Sequence, residues 1–227
     1  MNAVNEDGEC TVSNPTTSTV LPSAIYDDLR ERILSQADPS GTTFTESAVA
    51  LQFGVARPTA KMAIEKLVAE GLLRREAHHA AHVPRLSRDD VVDLFDNRAI
   101  IEGAALARLA TEGTIPADAL AAHHAQLAGA KANEPYATLD IAFHRALVTG
   151  QSSPRLIRAH SLLMGEIELC IGQVQSNNLR TAKDVAAEHQ GILDAVTAGD
   201  PARAERLTRE HIAESRERLL AHFDGEK

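Results

Sequence analysis

The chain has 227 residues, enough for one large domain or two small ones, and 44% hydrophobic residues, enough for a real core. Aromatics reach only 3% and Trp is absent, which favours helices packed through Ala and aliphatic side chains. The formal charge of −9 excludes a chain that coats nucleic acid over its whole surface, and no run approaches the roughly 18 apolar residues of a membrane helix.

Residues 1–20 are polar, carry three acids and no Lys or Arg, and lack the basic start and apolar stretch of a secretory signal. They predict a disordered arm. Cys10 and Cys170 are isolated thiols outside any CxxC pair, which fits a reducing cytoplasm. From Pro22 and Ser23 a helix is predicted, with Ile25, Leu29, Ile33 and Leu34 at helical spacing; "ADPSG" breaks it.

Thr45 then caps a short helix whose apolar positions are Val49, Leu51 and Phe53, and Gly54 ends it. Pro58 suits the first turn of a second helix with a buried stripe of Ala60, Ile64, Leu67 and Val68, closed by Gly71. Two helices across a short Gly-containing turn make a helix-turn-helix. "LLRREAHHAAHVPRL" reads as a two-stranded wing. Charge is regional: residues 21–86 net zero, but Arg57 to Arg85 hold six basic and three acidic residues, a net of +3.

From Ser87 onward the chain is a series of six helical runs with brief breaks at Gly113, Gly150 and Gly199 among others. The expected architecture is mainly α: a disordered arm (1–20), a winged helix-turn-helix with a small β wing (21–86), and an all-α antiparallel six-helix bundle (87–227).

"IYDDLRERIL", "TESAVALQFGVARPTAKMAIEKLVAEGLL" and "LSRDDVVDLFDNRAIIEGAALARLA" resemble the GntR family of bacterial transcription factors, in its FadR-like subgroup with an FCD effector domain. The resemblance implies a homodimer that binds operator DNA and lets go when a small organic acid binds the helical part. The family commonly opens its recognition helix with a Ser-Arg-Thr-Pro-Val-Arg-like run; here "ARPTAK" keeps Arg57 and the hydroxyl of Thr59 and places Lys61 where an arginine is usual. Its wing tip usually contains Gly; here it is "AHHAAH".

In a recognition helix Arg57 can grip guanine O6 and N7 as a fork, and Lys61, one turn on, offers a point charge. Thr59, and Thr45 and Ser47 at the start of the preceding helix, suit phosphate. Arg74, Arg75, His78 and His79 flank or form the wing and could meet phosphate or a groove, or be a solvated loop.

Asp140 and His144 are four apart in a helical run, so they share a helix face. Alone that pair is weak. His189 and His211 lie 11 residues either side of position 200, inside the break Gly199–Pro201, so a fold-back there brings them level. One carboxylate and three imidazoles suit a divalent ion: zinc foremost, with nickel, manganese or iron compatible. The FCD resemblance implies the same four positions. It also implies that Arg98 faces the pocket and pairs with a carboxylate effector; an internal pair with Glu102 is the alternative, and Asn97 is its less well-directed neighbour. His160 is a nearby competitor. His123 and His124, being adjacent, are expected to be exposed, and His222 lies in a frayed tail.

Three functions compete. The first is a regulator, most simply a repressor, gated by an acid at a metal site. The second is a regulator for which the ion itself is the signal. The third is a metalloenzyme, disfavoured because Glu188 and Glu210 adjoin ligands yet diverge from them along their helices. The expected assignment is a cytoplasmic DNA-binding protein with no membrane association, and no enzyme.

Overall fold

A computed structural model describes residues 21–132, 136–173 and 182–223. The predicted arm and the side chain of His222 lie outside the described residues.

The N-terminal part contains α1 (Pro22–Leu34), β1 (Thr43–Phe44), α2 (Glu46–Phe53), α3 (Arg57–Ala69) and β2 (Ala81–His82). Ile25, Leu29 and Ile33 of α1 are fully buried, as their spacing requires. The Thr45 hydroxyl accepts from the Ala48 amide and caps α2. Gly54 takes a left-handed φ of 64°, which lets the chain turn at once into α3; a Cβ there would be strained. Leu51 departs from expectation: it is 85% exposed. In so short a helix, Val49 and Ala50 fill the inward face and Leu51 points out.

The wing also differs from expectation. Its two flanks meet in only one bridge, Arg74 with His82, while β2 pairs antiparallel with β1, Thr43 opposite His82 and Phe44 opposite Ala81. The segment Glu76–Ala80 is spent on the turn, where His78 holds a left-handed φ of 65°. β1, anchored by buried Phe44, pairs with β2 at two positions instead.

The rest comprises α4 (Arg88–Glu112), α5 (Ala117–Ala132), α6 (Tyr136–Thr149), α7 (Pro154–Gln173), α8 (Ala182–Thr197) and α9 (Pro201–Phe223). A reciprocal capping box of Ser87 and Asp90 starts α4. Two apolar clusters hold the molecule. One joins Ile25, Leu29, Ile64 and Leu67 to Phe95, Met164, Ile167 and Ile212, so the winged helix shares its core with α4, α7 and α9. The other packs Leu106, Phe143, Leu147, Ile192 and Val196 among α4, α6 and α8. Each such leucine or isoleucine contributes about 1.5–3 kcal/mol on burial. Gly199, with φ 66°, turns α8 back into α9.

Candidate metal centre and DNA-facing surface

Four side chains from three helices meet in the bundle: Asp140 and His144 on α6, His189 on α8 and His211 on α9. One ligand atom from each lies within 4.8 Å of all the others. The three histidines are buried, and the Asp140 side chain is 13% exposed. Phe143 stacks on His189 with ring centroids 4.0 Å apart, fixing that imidazole from one side.

Each imidazole is held from behind. The Nδ1 of His144 lies 2.6 Å from Glu102 Oε2, that of His189 2.7 Å from Gln126 Oε1, and that of His211 2.8 Å from Glu188 Oε2. Carboxylate and amide oxygens only accept, so Nδ1 donates in all three and Nε2 is the nitrogen left to face the centre. Burial, with a smaller push from the Arg98 charge on His144, holds His144 and His189 below the usual histidine range, His189 at about 3, so both rings stay neutral near pH 7.

These nitrogens then face one another. His144 Nε2 is 3.0 Å and His189 Nε2 3.4 Å from His211 Nε2. Asp140 Oδ1 stands 3.7, 3.2 and 3.8 Å from the His144, His189 and His211 Nε2 atoms, and it is buried without a hydrogen-bond partner. Three imidazole nitrogens and a carboxylate oxygen so close together are a donor set that a cation between them would satisfy. With metal–ligand bonds of about 2.0–2.1 Å, ligand atoms on a tetrahedral ion stand roughly 3.3 Å apart. The residues fit a divalent ion in donor type, tautomer and spacing.

Behind His144 lies a second polar group. Glu102 is fully buried; its Oε1 accepts from Arg98 Nε and His160 Nε2, both at 2.8 Å. Burial alone would raise this carboxyl, but the Arg98 charge and the two histidines outweigh it and keep it well below the usual carboxylate range. Arg98 is itself 2% exposed, and its Nη2 is buried with no hydrogen-bond partner. Asn97 does not join the site. It is exposed and its amide donates to Asp93, because adjacent helical positions diverge.

The DNA-facing candidates lie in the N-terminal part, on α2, α3 and the wing. Arg57 is exposed at the first turn of α3 and has no ion-pair partner among the described residues. Lys61 is exposed, with Glu65 3.5 Å away on the same helix. Thr59 is half-buried; Thr45 and Ser47 are exposed at the start of α2. Arg74 and Arg75 are tied up within the chain, Arg74 with Glu166 of α7 at 2.8 Å and Arg75 with Glu46 at 3.0 Å. His78 and His79 are exposed at the wing tip, and His79 Nδ1 lies 2.9 Å from the Ala77 carbonyl.

Residues 93–214 match the FCD domain, and residues 21–83 match the bacterial regulatory proteins of the gntR family. The chain belongs to the GntR family of transcriptional regulators and carries an FCD domain. Among curated relatives, a protein of Paenarthrobacter nicotinovorans named "Probable D-xylose utilization operon transcriptional repressor" is 26% identical over 88% of this chain and 89% of that one. Among solved structures, E. coli McbR/YncC shares the fold with a TM-score of 0.71 at 17% identity, over 89% of this chain and 98% of that one. A GntR family member from Pseudomonas syringae pv. tomato gives 0.51 at 24% identity, over 90% and 86%. The relatives are regulators, not enzymes.

For this GntR-family regulator, sequence reasoning missed the acceptors behind the three imidazoles, Glu102, Gln126 and Glu188. Glu188 adjoins His189 but serves His211, across the hairpin. Its signal was present: positions 188 and 211 mirror one another about the Gly199–Asp200 turn just as the two histidines do. Gln126 and the sharing of Glu102 carried no local signal. His123, expected to be exposed, is buried and hydrogen-bonds Gln190 at 3.0 Å, because α5 packs that face on α6 and α8. No helix among the described residues is long and apolar enough to cross a membrane.

Proposed function

We propose that this chain is a repressor whose hold on operator DNA is set by a small organic acid at a divalent-metal site. Asp140, His144, His189 and His211 would hold the ion, with zinc the best fit to three imidazoles and one carboxylate. The observation that carries this is the set of three Nδ1-anchored imidazoles whose Nε2 atoms converge on an unpartnered Asp140 oxygen. When bound, the ion would supply a positive centre, and on expanding beyond four ligands it would take a carboxylate oxygen. Arg98, whose buried Nη2 has no hydrogen-bond partner, supports a carboxylate as the effector.

At the other end, Arg57 and Lys61 would read and hold the major groove, with Thr45, Ser47, Thr59, His78 and His79 on the backbone or the adjacent groove. Pairing of two chains lets two such helices read two half-sites. The relative's name supports repression over activation. The DNA-binding and effector parts fall at residues 21–86 and 87–227, and a cytoplasmic location follows from this role.

Metal analysis of protein purified without chelator, followed by retardation of its own promoter DNA, tests the reading. About one ion per chain is expected, with DNA released by particular small carboxylates only when metal is present. Should the ion alone set affinity and every acid prove inert, the ion is the signal. Failure to retard DNA at low salt would end the regulatory reading at this promoter.

A further inference from the structure

We propose that Glu102 is the positioning residue of the effector site, setting the tautomer of His144 and aiming the free N–H of Arg98. This rests on the metal and carboxylate reading above. One buried carboxylate accepts from His144 on α6, His160 on α7 and Arg98 on its own helix. With Oε2 on His144 Nδ1, the proton stays at Nδ1 and the ligand lone pair at Nε2. With Oε1 on Arg98 Nε, the planar guanidinium is fixed, and its buried Nη2 is the donor left over. A donor buried and unpaired carries a desolvation cost, which an anionic ligand would recover. A carboxylate present only to neutralise Arg98 would not need to reach His144 as well.

The test uses the full chain with Co2+ as the probe. Imidazole nitrogen shifts by NMR report the His144 tautomer without metal, and Co2+ absorption reports affinity. Wild type is expected to show His144 protonated at Nδ1. Glu102→Gln should mix the tautomers and weaken Co2+ about 10–100-fold. Glu102→Asp keeps the charge and should fall between, and serves if the Gln variant does not fold. Unchanged tautomer and affinity in the variants overturn the proposal. Wild type that takes no Co2+ sinks the metal reading instead, and the tautomer comparison still decides Glu102.

A separate set of contacts carries a second inference: the geometry points to α7 as the element through which the metal-bearing helix reaches the winged helix. Arg145 directly follows His144, and its Nε and Nη2 lie 3.2 and 3.1 Å from Glu168 Oε1. The other oxygen of buried Glu168 pairs with Arg30 of α1. Glycines seat α7 on the same unit with no slack. A Cβ on Gly165 would lie 1.7 Å from the Glu70 carbonyl oxygen at the end of α3, and one on Gly172 2.6 Å from that of Leu34 at the end of α1. A shift of α6 therefore reaches α1 through one shared carboxylate between two rigidly seated helices.

Amide hydrogen exchange of the full chain, with Zn2+ as the probe, tests it. In wild type Zn2+ should slow exchange in α6 and change it in α1. In Arg145→Ala and Glu168→Gln the α6 response should persist and the α1 response vanish. An α1 response equal to wild type overturns the inference, as does a wild-type α1 indifferent to Zn2+ while α6 is protected. If α6 itself ignores Zn2+, the metal reading fails. The metal-free comparison then decides: Arg145→Ala must speed exchange in α1, and no change overturns the relay.

Discussion

At the candidate metal centre, four ligand side chains come from three helices and are wrapped in apolar packing, each imidazole held from behind by its own acceptor. At the candidate DNA-binding surface, Arg57 and Lys61 come from one helix and stand in water. The first region is pre-arranged, so its ligand finds geometry already made. The second presents long, exposed cations, whose ordering cost would be met on binding a duplex. On the function proposed above, the candidate sensing site is a property of the packed core, whereas the candidate reading surface is a property of one helix turn.

Substitutions that separate the two regions test this contrast. The largest effect belongs to the core. Zinc at about 100 times its dissociation constant should stabilise wild type by about 2.7 kcal/mol, or roughly 5–10 °C in melting temperature for a chain of this size. His189→Ala should abolish that gain, measured by thermal melts with and without zinc. A gain equal to wild type would break the assignment of the core as the metal site.

Arg57→Ala should leave the zinc-dependent melt alone and cost about 1–3 kcal/mol of operator affinity while relaxing sequence preference. Loss of the zinc response in this variant would mean the regions are not separable. Lys61→Ala should weaken all DNA sequences alike and reduce the salt slope of binding by about one, seen in a salt titration. Thr45→Ala touches both descriptions: it should cost about 1 kcal/mol of stability by denaturant titration, because the cap on α2 is lost. The smallest effect is expected at Arg74. Its half-exposed pair with Glu166 contributes about 0.2–1 kcal/mol to stability, and Arg74→Ala should change DNA affinity less than Arg57→Ala.

The legible parts share a cause. Ile25, Leu29 and Ile33, the Thr45 cap, the turn at Gly54 and the Asp140/His144 pair all follow from spacing within one helix or one turn. His189 and His211 were reachable because a single fold-back at Gly199 relates them. Leu51 was misplaced because a short helix gives too few turns for periodicity to choose its buried face. The strand Thr43–Phe44 was overlooked because two residues carry no alternating pattern. Asn97 was included through proximity in sequence, although its exposed direction separates it from Arg98.

The sequence by itself determined the helices and picked out the four side chains that the fold brings together in the bundle, since each is set by local spacing, capping or one turn. Only the tertiary structure decided that Glu102 serves Arg98, His144 and His160 together, that Gln126 and Glu188 hold the other two imidazoles, and that Arg74 is bound to α7. Those partners lie between 23 and 92 residues apart in the chain, except for the Arg98–Glu102 pair. Their meeting depends on how whole helices pack, which no local pattern encodes.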